Sequence, residues 1–224
     1  KIKMQNKELF LSVSILSSDF KNLEKEIISL NHSGIDEFHL DIMDGNFVES
    51  ISFGDPIIKA VRSLTSIPIE AHLMVDNPNN YVKNFSELGV DIFTFHVESK
   101  SNILETISNI KKHKMKVGVA INPDTPTSMI EPYIDQIERI LFMTVYPGKG
   151  GQKYMEEVND KISEFSKKLK TQQVLLAIDG GVKIDTIYGG YNAGARLFIS
   201  GTGILNSDLG YKGAVNEFHK IIRG

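Results

Sequence analysis

The stretch Phe38-His39-Leu40-Asp41-Ile42-Met43-Asp44-Gly45 decides how this chain is read. Side chains two apart along a β-strand share a face. His39 and Asp41 therefore point one way, and Leu40 and Ile42 the other. The apolar pair suits a surface packed beneath helices. The polar pair needs partners, because an unpaired buried polar group costs roughly 2–7 kcal/mol. A strand that is apolar outside and polar inside fits the wall of a parallel barrel, near the rim where the C-terminal strand ends gather.

Outward from that strand the same alternation recurs. Short apolar, β-branched runs lie near Leu9–Ile15, Glu37–Ile42, Ile69–Met74, Asp91–His96, Lys116–Ile121, Arg139–Val145, Val174–Ile178 and Leu197–Ser200. Helix-like segments follow them at Phe20–Asn31, Ile57–Leu64, Tyr81–Leu88, Ile103–His113, Ile130–Ile134, Glu156–Leu169, Ile184–Asn192 and Lys212–Ile222. Eight strands alternating with eight helices predict a single-domain α/β fold over residues 1–224, a (β/α)8 (TIM) barrel. A doubly wound open sheet is the competing architecture, and it often carries a glycine-rich turn after its first strand. Here that position reads Leu16-Ser17-Ser18-Asp19, without glycine. The phrases "SGID", "LGVD" and "AGAR" mark the same helix-to-strand corner three times, a weak repeat that suits a barrel.

The bulk numbers exclude some chemistry. The 224 residues contain no cysteine, so disulfides and thiolate catalysis are ruled out, and a metal site must use His and carboxylate ligands. A net charge of −3 argues against a broad nucleic-acid surface. No apolar run is long enough to span a bilayer. The segment Leu9–Leu16 is short and interrupted by Ser12 and Ser14, so it reads as a first strand rather than a signal peptide. A protein of the cytoplasm is expected.

Chemistry concentrates at the predicted strand ends. The third strand ends His72-Leu73-Met74 and the seventh leads into Asp179-Gly180-Gly181. A barrel brings these to the same rim as His39 and Asp41, and two imidazoles with two carboxylates suit a divalent first-row ion. Each residue alone has a plainer reading: a strand histidine is usually a hydrogen-bonded core residue, and Asp before Gly-Gly is usually a turn. The combination carries the signal. Glycine clusters follow the last three strands, at Gly148-Lys149-Gly150-Gly151, Gly180-Gly181 and Gly201-Thr202. Late barrel loops often hold phosphate on backbone N–H groups, so phosphate binding is the better reading of three successive clusters. Met43, Met74 and Met143 also fall near strand ends, as core filler or as an apolar floor under a substrate. His96-Val97-Glu98 ends the fourth strand, and its role stays open.

Together these residues resemble the ribulose-phosphate 3-epimerase family. "HLDIMDG", "HLM" and "DGG" stand in that order and spacing, with "HVE", "NPDTP", "PGKGGQ" and "SGT" extending the likeness over nearly the whole chain. The resemblance implies a (β/α)8 barrel, one divalent metal (Zn2+ or Fe2+, with Mn2+ or Co2+ as further options) and inversion at C3 of a ketose phosphate. It implies metal ligation by His39, Asp41, His72 and Asp179, with Asp41 and Asp179 as the acid/base pair. It also implies substrate contacts from Ser14, His72, Met43, Met74 and Met143, and phosphate contacts from Gly148, Lys149, Gly150, Gly151, Gly180, Gly181, Gly201 and Thr202. Dimers or hexamers are the expected assemblies.

The expected reaction interconverts D-ribulose 5-phosphate and D-xylulose 5-phosphate, a pentose phosphate pathway step. The C3 proton lies beside a carbonyl, and its removal gives an enediolate that a metal stabilises. Inversion needs a proton taken from one face and returned on the other, hence two carboxylates. The chain departs from the family pattern at Val13, at Asn46–Ser50, at Tyr146 and at Lys149. These positions border the substrate, so a hexulose phosphate such as D-allulose 6-phosphate is the alternative substrate. A barrel that only binds a sugar phosphate is the non-catalytic alternative. Decarboxylating or condensing relatives would need a lysine where Met43 stands.

Overall fold

A computed structural model describes residues 9–169 and 174–223 of the chain. The N-terminal residues 1–8, the segment 170–173 and residue 224 lie outside the described residues. Eight parallel strands close into a barrel: β1 (Phe10–Ser14), β2 (Glu37–Met43), β3 (Ile69–Met74), β4 (Ile92–His96), β5 (Lys116–Ile121), β6 (Arg139–Met143), β7 (Leu175–Asp179) and β8 (Leu197–Ser200). β8 pairs back onto β1.

The helices are α1 (Leu23–Asn31), α2 (Asp55–Leu64), α3 (Val82–Glu87), α4 (Ile103–Lys112), α5 (Val158–Lys168), α6 (Ile187–Ala193), α7 (Thr202–Leu205) and α8 (Gly210–Arg223). Local chemistry explains their starts. Asn102 caps α4 by accepting from the Glu105 amide, and Asp19 accepts from Lys21 in the 3-10 turn that leads into α1. Pro56 stands in the first turn of α2, where its missing N–H costs nothing. The described strands and helices bear out the (β/α)8 architecture.

One expected helix is different. Ile130–Ile134 forms no α-helix; Thr127–Met129 and Glu131–Gln136 are 3-10 turns instead. Pro126 and Pro132 flank and enter this segment, and each denies the backbone a donor. In exchange, α7 appears directly after β8, a four-residue helix too short to show a periodic pattern.

The alternation in β2 holds throughout the polar strands. Phe38, Leu40, Ala71, Leu73, Phe93 and Phe95 face outward and are fully buried in the core between sheet and helices. The opposite side chains fill the interior, where parallel register sets His39 beside Glu70, Asp41 beside His72, and His72 beside Thr94. A second, smaller apolar cluster fills the other side of the interior, with Ala120, Leu141, Met143, Ala177, Leu197 and Ile199.

Candidate metal and proton-transfer site

β2 turns His39 and Asp41 into the barrel, β3 supplies His72, and β7 ends on Asp179. One ligand atom from each of these four residues lies within 4.8 Å of all the others. His39 Nε2 stands 3.2 Å from Asp41 Oδ1, 3.2 Å from His72 Nδ1 and 3.6 Å from Asp179 Oδ2. His72 Nδ1 stands 3.3 Å from Asp41 Oδ1 and 3.7 Å from Asp179 Oδ2. Four donors about 2.0–2.1 Å from a tetrahedral ion sit about 3.3–3.4 Å apart, so this donor set fits a small divalent cation in both chemistry and spacing.

The outer contacts aim the ligand atoms. His39 Nδ1 pairs with Glu70 Oε2 at 2.8 Å, which leaves Nε2 to present its lone pair to the cluster. His72 Nε2 lies 2.9 Å from His96 Nε2, and His96 Nδ1 lies 3.2 Å from Glu98 Oε2. Protons passed along that row (Nε2–H of His72 donating to His96, Nδ1–H of His96 donating to Glu98) free His72 Nδ1 in the same way. Burial holds His96 down at about 4, so its ring is neutral and able to accept. The ring of Phe47, from the loop after β2, lies 4.9 Å from His96 and covers it.

The two aspartates differ in proton affinity. Burial pushes Asp41 up, yet charge and hydrogen bonding from His39 and His72 outweigh it and hold the carboxyl well below its ordinary range. Burial and then the Asp41 and Glu70 charges push Asp179 up to about 7, against the opposing pull of His39. Burial likewise pulls His39 down, but Asp41 and Glu70 together raise it well above its ordinary value. The pocket therefore attracts positive charge, and a proton on His39 competes with a divalent ion for it. Paired carboxylates of unequal affinity are what an acid/base couple requires.

Above the cluster opens a cleft. Asp41 and Asp179 reach its wall, together with Ser14, Met43, Met74 and Met143. Gly148, Lys149, Gly150, Gly151, Gly180, Gly181, Gly201 and Thr202 line it from the loops after β6, β7 and β8. The structure thus gathers the residues singled out in the sequence, with one difference. His72 is completely buried and is not part of the cleft lining. Ser14 Oγ donates to Asp41 Oδ2 at 2.7 Å, so it orients the aspartate besides facing the cleft. Gly181 must be glycine: its φ is +65°, and an added Cβ would lie 2.5 Å from the Tyr154 amide.

Sequence reading missed a buried charged group beneath the site. Arg139 from β6 forks onto Glu37 at 2.7 and 2.9 Å and reaches Glu70 at 2.9 Å. Thr94 donates to the same Glu70 oxygen. The signal was present as strand alternation, since Glu37-x-His39-x-Asp41 and Glu70-x-His72 each keep one face polar.

Comparison with known proteins agrees with this geometry. The sequence profile of the ribulose-phosphate 3 epimerase family matches residues 10–205. Ribulose-phosphate 3-epimerase of Bacillus subtilis (strain 168) is 39% identical over 194 residues, covering 85% of this chain and 89% of that protein. The cytoplasmic isoform of ribulose-phosphate 3-epimerase from Oryza sativa subsp. japonica is 38% identical over 201 residues, covering 88% and 87%. Among solved structures, KGPDC from Streptococcus mutans superposes with a TM-score of 0.71 at 17% identity, covering 96% of this chain and 97% of that one. A 3-hexulose-6-phosphate synthase superposes with a TM-score of 0.70 at 16% identity, covering 95% and 99%. At such identities those two structures show the shared fold alone. Over most of its length, from β1 to α7, the chain belongs to the ribulose-phosphate 3-epimerase family.

Proposed function

We propose that this chain, as one ribulose-phosphate-binding barrel over residues 1–224, interconverts D-ribulose 5-phosphate and D-xylulose 5-phosphate. The observation that carries the proposal is the placement of Asp41 and Asp179. Both belong to the four-donor cluster and both reach the cleft wall. Family relatives bearing the name ribulose-phosphate 3-epimerase support the substrate.

His39, Asp41, His72 and Asp179 would hold one divalent ion, with Zn2+ or Fe2+ favoured by the His2Asp2 donor set. When bound, such an ion supplies Lewis-acid stabilisation of charge developing on the substrate oxygens. One aspartate takes the C3 proton from one face of the sugar, and the other returns a proton to the opposite face. Ser14 keeps Asp41 oriented by donating to its second oxygen. Met43, Met74 and Met143 form an apolar boundary to the cleft, which restricts water at the planar intermediate. The glycine loops after β6, β7 and β8 let backbone N–H groups approach the phosphate, and Lys149 stands exposed at that end.

The protein is proposed to work as a homo-oligomer, a dimer or hexamer, in the cytoplasm like the named rice isoform. Among the described residues no helix is long and apolar enough to cross a membrane. Deuterium incorporation at C3, followed by NMR in deuterated water across a panel of ketose phosphates, tests the activity. D-ribulose 5-phosphate is expected to exchange fastest. Faster exchange of D-allulose 6-phosphate would reassign the substrate, and exchange of neither in the presence of added metal would end the epimerase reading.

A further inference from the structure

The buried chain Glu37–Arg139–Glu70–His39 has no part in the proton transfer just described, yet it ends on a proposed metal ligand. We infer that Glu70 is the positioning residue for His39 and that Arg139 and Thr94 hold Glu70 in place for that task. The inference rests on the metal reading of the His39, Asp41, His72 and Asp179 cluster.

Each oxygen of Glu70 has a separate duty. Oε2 meets His39 Nδ1 at 2.8 Å, and Oε1 receives Arg139 Nη1 at 2.9 Å together with the Thr94 hydroxyl. The carboxylate is held from one side and directs its free oxygen at the ring on the other. Glu70, His39 and Thr94 are completely buried, and Glu37 and Arg139 are nearly so. Ring orientation is therefore set by these contacts rather than by solvent.

Charge points the same way. Glu37 and Glu70 carry two negative charges against one on Arg139, and the surplus faces His39. A carboxylate behind an imidazole fixes its tautomer and raises the basicity of the far nitrogen toward a cation. The barrel also makes room for this arrangement. Gly118 on β5 faces the network, and a Cβ there would lie 2.0 Å from Thr94 Oγ1 and 2.9 Å from Arg139 Cγ. Arg139 enters from β6, on the largely apolar side of the interior, and Gly118 on the intervening β5 leaves it the space to reach Glu70.

Two substitutions separate positioning from packing. Glu70→Asp keeps the carboxylate but shortens it and leaves a hole. Glu70→Met fills the volume but removes the acceptor. Titration of the full chain with Co2+, followed by its visible absorption, reads the metal site directly. Positioning predicts that Glu70→Met weakens Co2+ by about 10- to 100-fold, and that Glu70→Asp retains more affinity than Glu70→Met. A packing role predicts the reverse order. Equal Co2+ affinity in the parent and Glu70→Met, or tighter binding by Glu70→Met than by Glu70→Asp, overturns the inference while leaving the metal site intact. Failure of the parent itself to bind Co2+ would overturn the metal reading and this inference with it. If Glu70→Met does not fold, the near-isosteric Glu70→Gln takes its place, with at least a tenfold loss expected and parental affinity overturning the inference.

Discussion

The barrel interior has two unlike halves. On β1 to β4 it is lined by Ser14, His39, Asp41, Glu70, His72, Thr94 and His96, all buried and all hydrogen-bonded. On β5 to β8 it is lined by Ala120, Leu141, Met143, Ala177, Leu197 and Ile199. The polar half holds the proposed ligands and proton carriers; the apolar half provides a low-dielectric wall that strengthens their electrostatics. Two residues cross the divide. Asp179 brings a carboxylate from β7 to the ligand cluster, and Arg139 brings a cation from β6 to Glu37 and Glu70. The difference teaches that a reactive site needs both halves, because buried charges are tolerable only where every one is answered.

The largest expected effect lies where the two halves meet on the substrate. Asp41→Asn and Asp179→Asn should each lower kcat for epimerisation by about a thousandfold, within the usual range for a lost acid/base group. Substrate binding, measured by calorimetry, should largely survive in both. Retention of wild-type turnover in either variant contradicts two-aspartate proton transfer.

Next comes the crossing cation. Arg139→Met leaves Glu37 and Glu70 facing each other's charge in the interior, and should cost about 3–5 kcal/mol in urea unfolding. Adding Glu37→Met should restore only part of that loss, since Glu70 still lacks the Arg139 cation. Additive losses in the double variant would show that Glu37 and Arg139 are not energetically coupled.

In the apolar half, Leu141→Ala should destabilise by about 2–4 kcal/mol through cavity formation, with Co2+ affinity changed less than threefold in the folded protein. A large loss of metal affinity there would mean the halves are mechanically coupled. The smallest effect is expected at the exposed rim: Lys149→Ala should raise KM by less than about fivefold, because exposed charge pairs contribute little. A hundredfold rise would make Lys149 a principal phosphate contact.

Much of this was legible in the chain itself. Alternation in Phe38–Ile42 told which side chains face inward, and eight such runs told the fold, since a two-residue period is a local property. The His39-x-Asp41, His72 and Asp179 set was readable because all four sit at predicted strand ends. The helix expected over Ile130–Ile134 was misread because its apolar spacing hides what Pro126 and Pro132 do to the backbone. α7 was missed because four residues are too few for a period to show.

What the sequence determined by itself was therefore the order of strands, their two faces and the identity of the residues at the rim. Only tertiary closure decided which of those residues answer one another. Glu37 and Arg139 are 102 residues apart along the chain, and β1 meets β8 across nearly the whole of it. No local pattern can register such a pairing, because it depends on the barrel closing and on the space Gly118 leaves inside it. The cost of leaving a buried charge unanswered is what ties these distant residues together.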